Sequence, residues 1–152
     1  SHNRKNKPLV SGQITEELLQ NWLKWVTPFS FIANLFGPLG VKGGLVYMLG
    51  IACGVAYNFY FKFSVLSPLP YAIAFAALPS SIAISKDITP PLWMWLGGAL
   101  FGMAAHFINV IKDMKEDQIS KIGGLPQRLG SKNSIWVAVI LIAIGIAVLK
   151  IT

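Results

Sequence analysis

Residues 134–151 read SIWVAVILIAIGIAVLKI, a stretch in which Lys150 is the single charged side chain. A helix needs about 20 apolar residues to cross the hydrocarbon layer of a bilayer, so this stretch predicts a transmembrane helix. Further apolar runs precede it along the chain. The predicted spans cover residues 14–36, 41–61, 69–84, 92–117 and 134–151, and residues 118–132 are interpreted as a polar, basic loop. We therefore predict an all-α fold, a multi-span bundle of five transmembrane helices that forms a single membrane-embedded domain over residues 1–152.

The composition of the whole chain agrees with a membrane protein. Of its 152 residues, 54% are hydrophobic and 12% are charged, and the mean hydropathy is +0.58. Soluble domains carry about 25% charged residues, and disordered chains have low hydrophobicity. The composition therefore argues against an ordinary soluble domain and excludes intrinsic disorder. Cys53 is the only cysteine, which excludes an intramolecular disulfide and a cysteine-based zinc site.

The basic residues predict how the bundle is oriented in the membrane. Lys and Arg total 13 and Asp and Glu total 6, a net charge of +7. Because the basic residues are scattered between apolar runs, we expect no nucleic-acid partner. One side of the predicted bundle receives Arg4, Lys5, Lys7, Lys62, Lys112, Lys115, Lys121, Arg128 and Lys132, and the other receives Lys42, Lys86 and Lys150. Cytoplasmic loops are enriched in Lys and Arg, so we predict a multi-pass protein of the plasma membrane or an equivalent membrane, with a cytoplasmic amino terminus.

The fourth predicted span carries a polar stripe. At about 100° per residue, His106, Asn109, Asp113 and Asp117 fall on one helix face. Carboxylates one turn apart repel each other, but they can share Mg²⁺, which prefers one or two carboxylates together with substrate phosphates. Asn109 adds an amide oxygen. The stripe predicts a metal-held diphosphate site, and the alternative is a helix end whose acids are simply solvated. His106 taken alone is interpreted as an interior histidine.

Three blocks of sequence resemble the UbiA-type intramembrane prenyltransferases. Residues 113–130, DMKEDQISKIGGLPQRLG, resemble the second aspartate-rich motif of that family: Asp-x3-Asp, a basic residue, then Leu-Pro and Leu-Gly. Residues 7–12, KPLVSG, resemble the block that follows the first aspartate-rich motif. Residues 57–62 and 66–71 resemble the Tyr-Asn-x3-Lys loop and the start of the next span. The order and separation of the blocks match, so the resemblance covers nearly the whole chain.

The resemblance also implies a larger fold than this chain supplies. Family members resemble a bundle of about nine helices, of which this chain would provide five. The first motif, an Asn-Asp-x-x-Asp cluster, would precede Ser1, so the chain resembles an internal fragment that we expect to be inactive alone. Lys7 stands where the family usually has Arg, which puts a bidentate phosphate contact at that position in doubt.

The activity that the resemblance implies is Mg²⁺-dependent prenyl transfer. The substrates would be an allylic prenyl diphosphate and a small, often aromatic acceptor, as in isoprenoid or quinone biosynthesis. Asp113 and Asp117 would be the metal ligands and catalytic residues, on the cytoplasmic side. The diphosphate would be bound by Lys121, Asn109, Lys62 and Arg128. The aromatic side chains proposed for an apolar chamber around the allylic cation are Tyr57, Phe59 and Tyr60, with core or lipid-facing packing as the alternative.

Two other functions remain as alternatives. CDP-alcohol phosphotransferases also place aspartates at the end of a membrane helix, but they need an Asp-Gly-x2-Ala-Arg block before Asp-x3-Asp, and this sequence has none. A non-enzymatic transporter or scaffold could carry a charged pore face. Transporters bind their substrates near the middle of the bilayer, whereas Asp113 and Asp117 fall at the end of the fourth predicted span.

Overall fold

The computed structural model describes residues 8–119 and 123–151, with the backbone alone for residues 113 and 115–119. Within these residues the chain is helical and contains no strand. The helices are α1 (Glu16–Phe36), α2 (Gly40–Phe59), α3 (Leu69–Ser85), α4 (Gly98–Ile119) and α5 (Leu125–Ile151). A 3₁₀ turn, Phe61–Phe63, follows α2, and a π-helical turn, Trp93–Gly97, leads into α4. The prediction of an all-α fold with five helices is confirmed. Arg4, Lys5, Lys7 and Lys121 lie outside the described residues.

Among the described residues, three helical stretches are long and apolar enough to cross a membrane. These are Gly40–Phe59, Trp93–Lys112 and Leu125–Ile151. Helix α3 is apolar but has 17 residues. Helix α1, which carries acidic residues in its first turn, is not among the three. Large apolar side chains cover much of the outer surface, as the hydrocarbon of a bilayer requires.

The segment between the fourth and fifth predicted spans is more helical than the sequence indicated. We interpreted residues 118–132 as a polar loop, but α4 continues to Ile119 and α5 begins at Leu125. Pro126 suits the first turn of a helix, where its missing N–H has no intrahelical partner to lose. Gly130, at φ 77° and ψ 166°, then interrupts the helix in a backbone region open essentially to glycine alone. The interpretation as a continuous loop was therefore wrong.

Helices that follow one another along the chain pack side by side. Helix α2 contacts α3, α3 contacts α4, and α4 contacts α5, while α1 lies against α2. The closest approach of α4 to α3 uses two glycines. A Cβ atom on Gly98 would lie 2.5 Å from the carbonyl oxygen of Phe75, and one on Gly102 would overlap the carbonyl oxygen of Tyr71. Small residues of this kind let membrane helices approach closely, and here they fix the face of α4 that α3 covers.

Contacts between the connections identify the two ends of the bundle. At one end, Lys42 Nζ lies 2.5 Å from Asp87 Oδ1, which joins the start of α2 to the loop after α3. The hydrogen bond and the positive charge of Lys42 lower the pKa of the Asp87 carboxyl. At the other end, the N–H of Leu125 donates to Ser67 Oγ at 3.0 Å, which joins the α2–α3 connection to the start of α5. We refer to this second end as the Ser67 end.

Candidate active site

Helix α4 carries the polar stripe that the sequence predicted. The helix is continuous from Gly98 to Ile119, so residues 106, 109, 113 and 117 share one face. At 1.5 Å per residue, Asp113 lies about 10 Å beyond His106 along the axis and Asp117 about 16 Å beyond it. Both are therefore on the part of α4 that extends past His106 towards the Ser67 end. The side chains of Asp113 and Asp117 lie outside the described atoms.

His106 occupies the interior of the bundle. Its exposed fraction is 0%, and its Nε2 lies 3.1 Å from Ser67 Oγ. The ring packs against Tyr71, with centroids 4.7 Å apart, and against Tyr57 at 5.5 Å. The other ring nitrogen, Nδ1, is buried without a hydrogen-bond partner among the described residues. The interpretation of His106 as an interior histidine is confirmed, with one of its two nitrogens bonded.

Ser67 is a polar residue that the sequence analysis did not single out. It is fully buried, and its Oγ contacts both His106 Nε2 and the N–H of Leu125. A serine before a proline in a connection ordinarily predicts only a turn, so local pattern gave no reason to expect these contacts. The available signal was the position of Ser67 within the Leu66–Tyr71 block that carries the family resemblance.

Lys62 lies in the 3₁₀ turn between α2 and α3. Its side chain is half-buried, and Nζ lies over the ring of Phe63, 5.0 Å from the centroid. A cation at that distance from an aromatic face is attracted by the ring quadrupole. Lys62 is thus held at the Ser67 end, five residues before Ser67 itself.

Arg128 and Asn109 are exposed. The Nε of Arg128 donates to the carbonyl oxygen of Gly123 at 2.9 Å, so its guanidinium lies beside the start of α5. No hydrogen bond or ion pair joins Asn109, Lys62 and Arg128 to one another in the described part of the chain. The structure therefore brings Lys62 and Arg128 to the same end as the last turns of α4, without direct contact between them. Lys121 lies outside the described residues.

The three predicted chamber aromatics differ in their surroundings. Tyr57 is half-buried and meets Tyr71 edge to face, with centroids 5.2 Å apart. A cavity of about 240 Å³ opens beside these two rings. Phe59 is 69% exposed and Tyr60 is 75% exposed, and Tyr60 lines a separate groove between α1 and α2. The interior aromatic cluster therefore consists of Tyr57 with Tyr71 and His106, and the sequence analysis missed Tyr71.

The sequence model of the UbiA prenyltransferase family matches residues 1–152. The chain belongs to this family. No curated protein and no solved structure matches the chain. Because the family match spans every block on which the resemblance depended, it accounts for the Asp-x3-Asp segment, the Tyr-Asn loop and the Lys-Pro block together. UbiA proteins are membrane prenyltransferases, which agrees with the helices of this chain that can cross a membrane.

UbiA enzymes are generally Mg²⁺-dependent, and the donor set of this chain fits that metal. Asp113 and Asp117 are four residues apart on a continuous helix, so their carboxylates belong to one face. Mg²⁺ prefers hard oxygen ligands and usually binds one or two carboxylates together with substrate phosphates. Among the side chains that the structure describes, no three His, Cys, Asp or Glu residues cluster. The positions of Asp113 and Asp117 on α4 therefore agree with the expected metal ligands, and their binding of Mg²⁺ stays a prediction.

Proposed function

We propose that the protein transfers a prenyl group from an allylic prenyl diphosphate to an acceptor within the membrane, with Mg²⁺ bound by Asp113 and Asp117. The observation that carries this proposal is the continuity of α4 as far as Ile119. Residues four apart on a helix share a face, so the two carboxylates can act on one ion. Family membership supplies the reaction class.

The proposed chemistry exchanges a carbon–oxygen bond of the prenyl diphosphate for a bond between the same carbon and the acceptor. The bond between the allylic carbon and the diphosphate oxygen breaks, and both electrons leave with the diphosphate. An acceptor atom forms a bond to the allylic carbon and loses its proton, which the released diphosphate can accept. Bound Mg²⁺ supplies positive charge that lowers the energy of the departing diphosphate.

The cationic residues of the Ser67 end support the same role. Lys62 lies in the turn between α2 and α3, Arg128 lies in the first turn of α5, and Lys121 belongs to the segment between α4 and α5 in the sequence. Each would donate hydrogen bonds to phosphate oxygens, and such charge-assisted bonds are about twice as strong as neutral ones. Asn109, one turn before Asp113, would contribute its amide. Since electrostatic interactions are stronger where water is scarce, the position of Lys62 and Arg128 at the end of an apolar bundle favours diphosphate binding.

The interior of the bundle suits an allylic cation. Such a cation is quenched by water, so the reaction needs an enclosed apolar space. Aromatic faces also attract cations, and Tyr57 and Tyr71 border a cavity at the same end as the polar stripe. We propose that these rings face the prenyl group, that the site opens to the cytoplasm, and that the acceptor belongs to isoprenoid or quinone biosynthesis.

Turnover by the full-length protein in lipid nanodiscs tests the proposal. A radiolabelled prenyl diphosphate is supplied with a panel of phenolic, naphthoic and lipid-alcohol acceptors, with and without Mg²⁺. We expect product and free diphosphate in equal amounts, and only with Mg²⁺. Asp113→Ala should abolish product, while Lys115→Ala, half a helical turn away on the far face of α4, should retain it. Turnover near that of the unmodified protein in Asp113→Ala would refute the metal assignment.

A further inference from the structure

One buried hydroxyl connects three separate parts of the chain. Ser67, in the connection between α2 and α3, contacts Nε2 of His106 on α4 at 3.1 Å and the backbone N–H of Leu125 at the start of α5 at 3.0 Å. These partners are 39 and 58 residues away in sequence. Both Ser67 and His106 have an exposed fraction of 0%. We call this set of contacts the Ser67 tether.

The hydroxyl of Ser67 can serve both of its partners in the tether. A serine hydroxyl has one donor and two acceptor positions. The N–H of Leu125 belongs to the first turn of α5, where backbone donors have no partner within the helix, and Ser67 Oγ accepts it. The same hydroxyl forms its second hydrogen bond with His106 Nε2. A hydroxyl removed from this buried position would leave two polar groups without partners, and such groups are costly to bury.

Close packing holds the tether in one geometry. Gly124 lies against Ser67, and a Cβ atom at that position would be 2.7 Å from Ser67 Oγ. The ring of His106 is enclosed by Tyr71, Tyr57 and Phe107. Because His106 is fully buried among these rings, its imidazole has little freedom to turn. The start of α5 is therefore fixed relative to α4 at the level of His106.

The three segments that the tether joins also carry residues that the proposed function uses. Lys62 precedes Ser67 by five residues, Arg128 follows Leu125 by three, and Asp113 follows His106 by seven. Each of the three tethered segments thus leads to one group proposed to contact the diphosphate or its metal. No hydrogen bond joins Lys62 and Arg128 directly in the described chain, so a contact elsewhere has to fix their separation.

We propose that Ser67 and His106 are positioning residues: their hydrogen bond, together with that to Leu125, sets the spacing of Lys62 and Arg128 about the aspartate face of α4. This inference rests on the proposed function. It assigns neither residue a contact with substrate. Its specific consequence is that loss of the tether weakens binding of the diphosphate while the helical bundle remains folded.

The test compares two buried serines in the full-length protein. Ser67→Ala breaks the tether. Ser80→Ala is the matched control, because Ser80 is equally buried and its Oγ has no hydrogen-bond partner among the described residues. We measure the KM and kcat for prenyl diphosphate, the Tm, and hydrogen exchange of the peptide that contains Leu125. We expect Ser67→Ala to raise KM about tenfold, to speed exchange at Leu125 and to melt several degrees below Ser80→Ala while remaining folded at the assay temperature.

A second pair of variants keeps the test informative if Ser67→Ala does not fold. The side-chain amide of His106→Gln can reach Ser67, whereas His106→Leu keeps volume but cannot bond. We expect His106→Gln to restore most of the affinity for the diphosphate and His106→Leu to resemble Ser67→Ala. An equal loss in both His106 variants would overturn the positioning role.

The outcomes separate this inference from the proposed function. If Asp113→Ala abolishes diphosphate binding while Ser67→Ala binds like the unmodified protein, the positioning role is wrong and the metal site stands. An equal rise in KM for Ser67→Ala and Ser80→Ala would also overturn it, because it would reflect packing alone. If Asp113→Ala binds diphosphate normally, the proposed function fails, whatever hydrogen exchange shows at Leu125.

Discussion

Asp113 and Asp117 are the residues on which the proposed chemistry depends. They share one face of α4 because the helix continues to Ile119. Their periodicity was readable from the sequence, whereas their binding of Mg²⁺ stays a prediction, because carboxylates one turn apart repel each other only weakly and can also be solvated. The contact between His106 and Ser67 was not readable, because 39 residues separate the two and no local pattern links them.

If the two aspartates bind one ion together, their substitutions will not be additive. Loss of either ligand should remove most of the metal affinity, so Asp113→Ala and Asp117→Ala should each reduce kcat/KM by about 10³-fold or more. The double variant should be scarcely worse than either single variant, as for other groups that act as a unit. Steady-state kinetics on the three variants measures this. Effects that multiply in the double variant would show that the carboxylates act independently.

The first residues of helix α5 could not be predicted from hydropathy alone. Its apolar part was predicted from Ser134 onwards, yet the helix begins at Leu125 and is interrupted at Gly130. The first turn contains Gln127 and Arg128. These polar side chains lower the hydropathy of the turn, so the apolar pattern did not predict that it is helical. The start of α5 is instead fixed by Pro126 and by contacts that are distant in sequence, such as the bond between Leu125 and Ser67. Periodicity predicts the long apolar helices, and tertiary contacts decide where they end.

The backbone at Gly130 gives a prediction about this element. At φ 77° and ψ 166°, a side chain is strained, so Gly130→Ala should destabilise the fold by about 1–3 kcal/mol. The control is Gly54→Ala, since Gly54 lies within α2 and a Cβ atom there meets nothing within 4 Å. Alanine should be neutral or stabilising at that position, by up to about 1 kcal/mol. Thermal unfolding in detergent compares the two, and an equal Tm for both variants would contradict the strained backbone.

The whole bundle has two chemically different ends. Lys42 and Asp87 meet at one end, and the Ser67 tether closes the other. The all-α architecture was predicted from apolar runs and composition, because a segment in the bilayer has to form all its backbone hydrogen bonds internally, as a helix does. Which helices can cross a membrane was predicted less well. The described chain contains three that meet the length and hydropathy requirements, since α3 is one of the shorter helices and the first turn of α1 is acidic.

The distribution of Lys and Arg residues predicts how the bundle is oriented in the membrane. Nine basic residues were predicted on one side and three on the other, so we expect the Ser67 end in the cytoplasm. In a protein that carries Cys53→Ala, the variants Lys86→Cys and Lys132→Cys place single thiols at opposite ends. A membrane-impermeant maleimide added to intact cells should label Lys86→Cys and not Lys132→Cys. The reverse pattern would invert the topology.

Binding of a prenyl diphosphate through a metal on α4 is the step on which the proposed function of this UbiA chain depends. Its most direct test is the affinity of the full-length protein for a non-hydrolysable prenyl thiodiphosphate, titrated with and without Mg²⁺. The unmodified protein and the Asp87→Ala variant, which changes an acid at the opposite end, should both bind the analogue only when Mg²⁺ is present. Asp113→Ala and Asp117→Ala should lose that binding at every Mg²⁺ concentration. Equal Mg²⁺-dependent affinity in all four proteins would contradict the account.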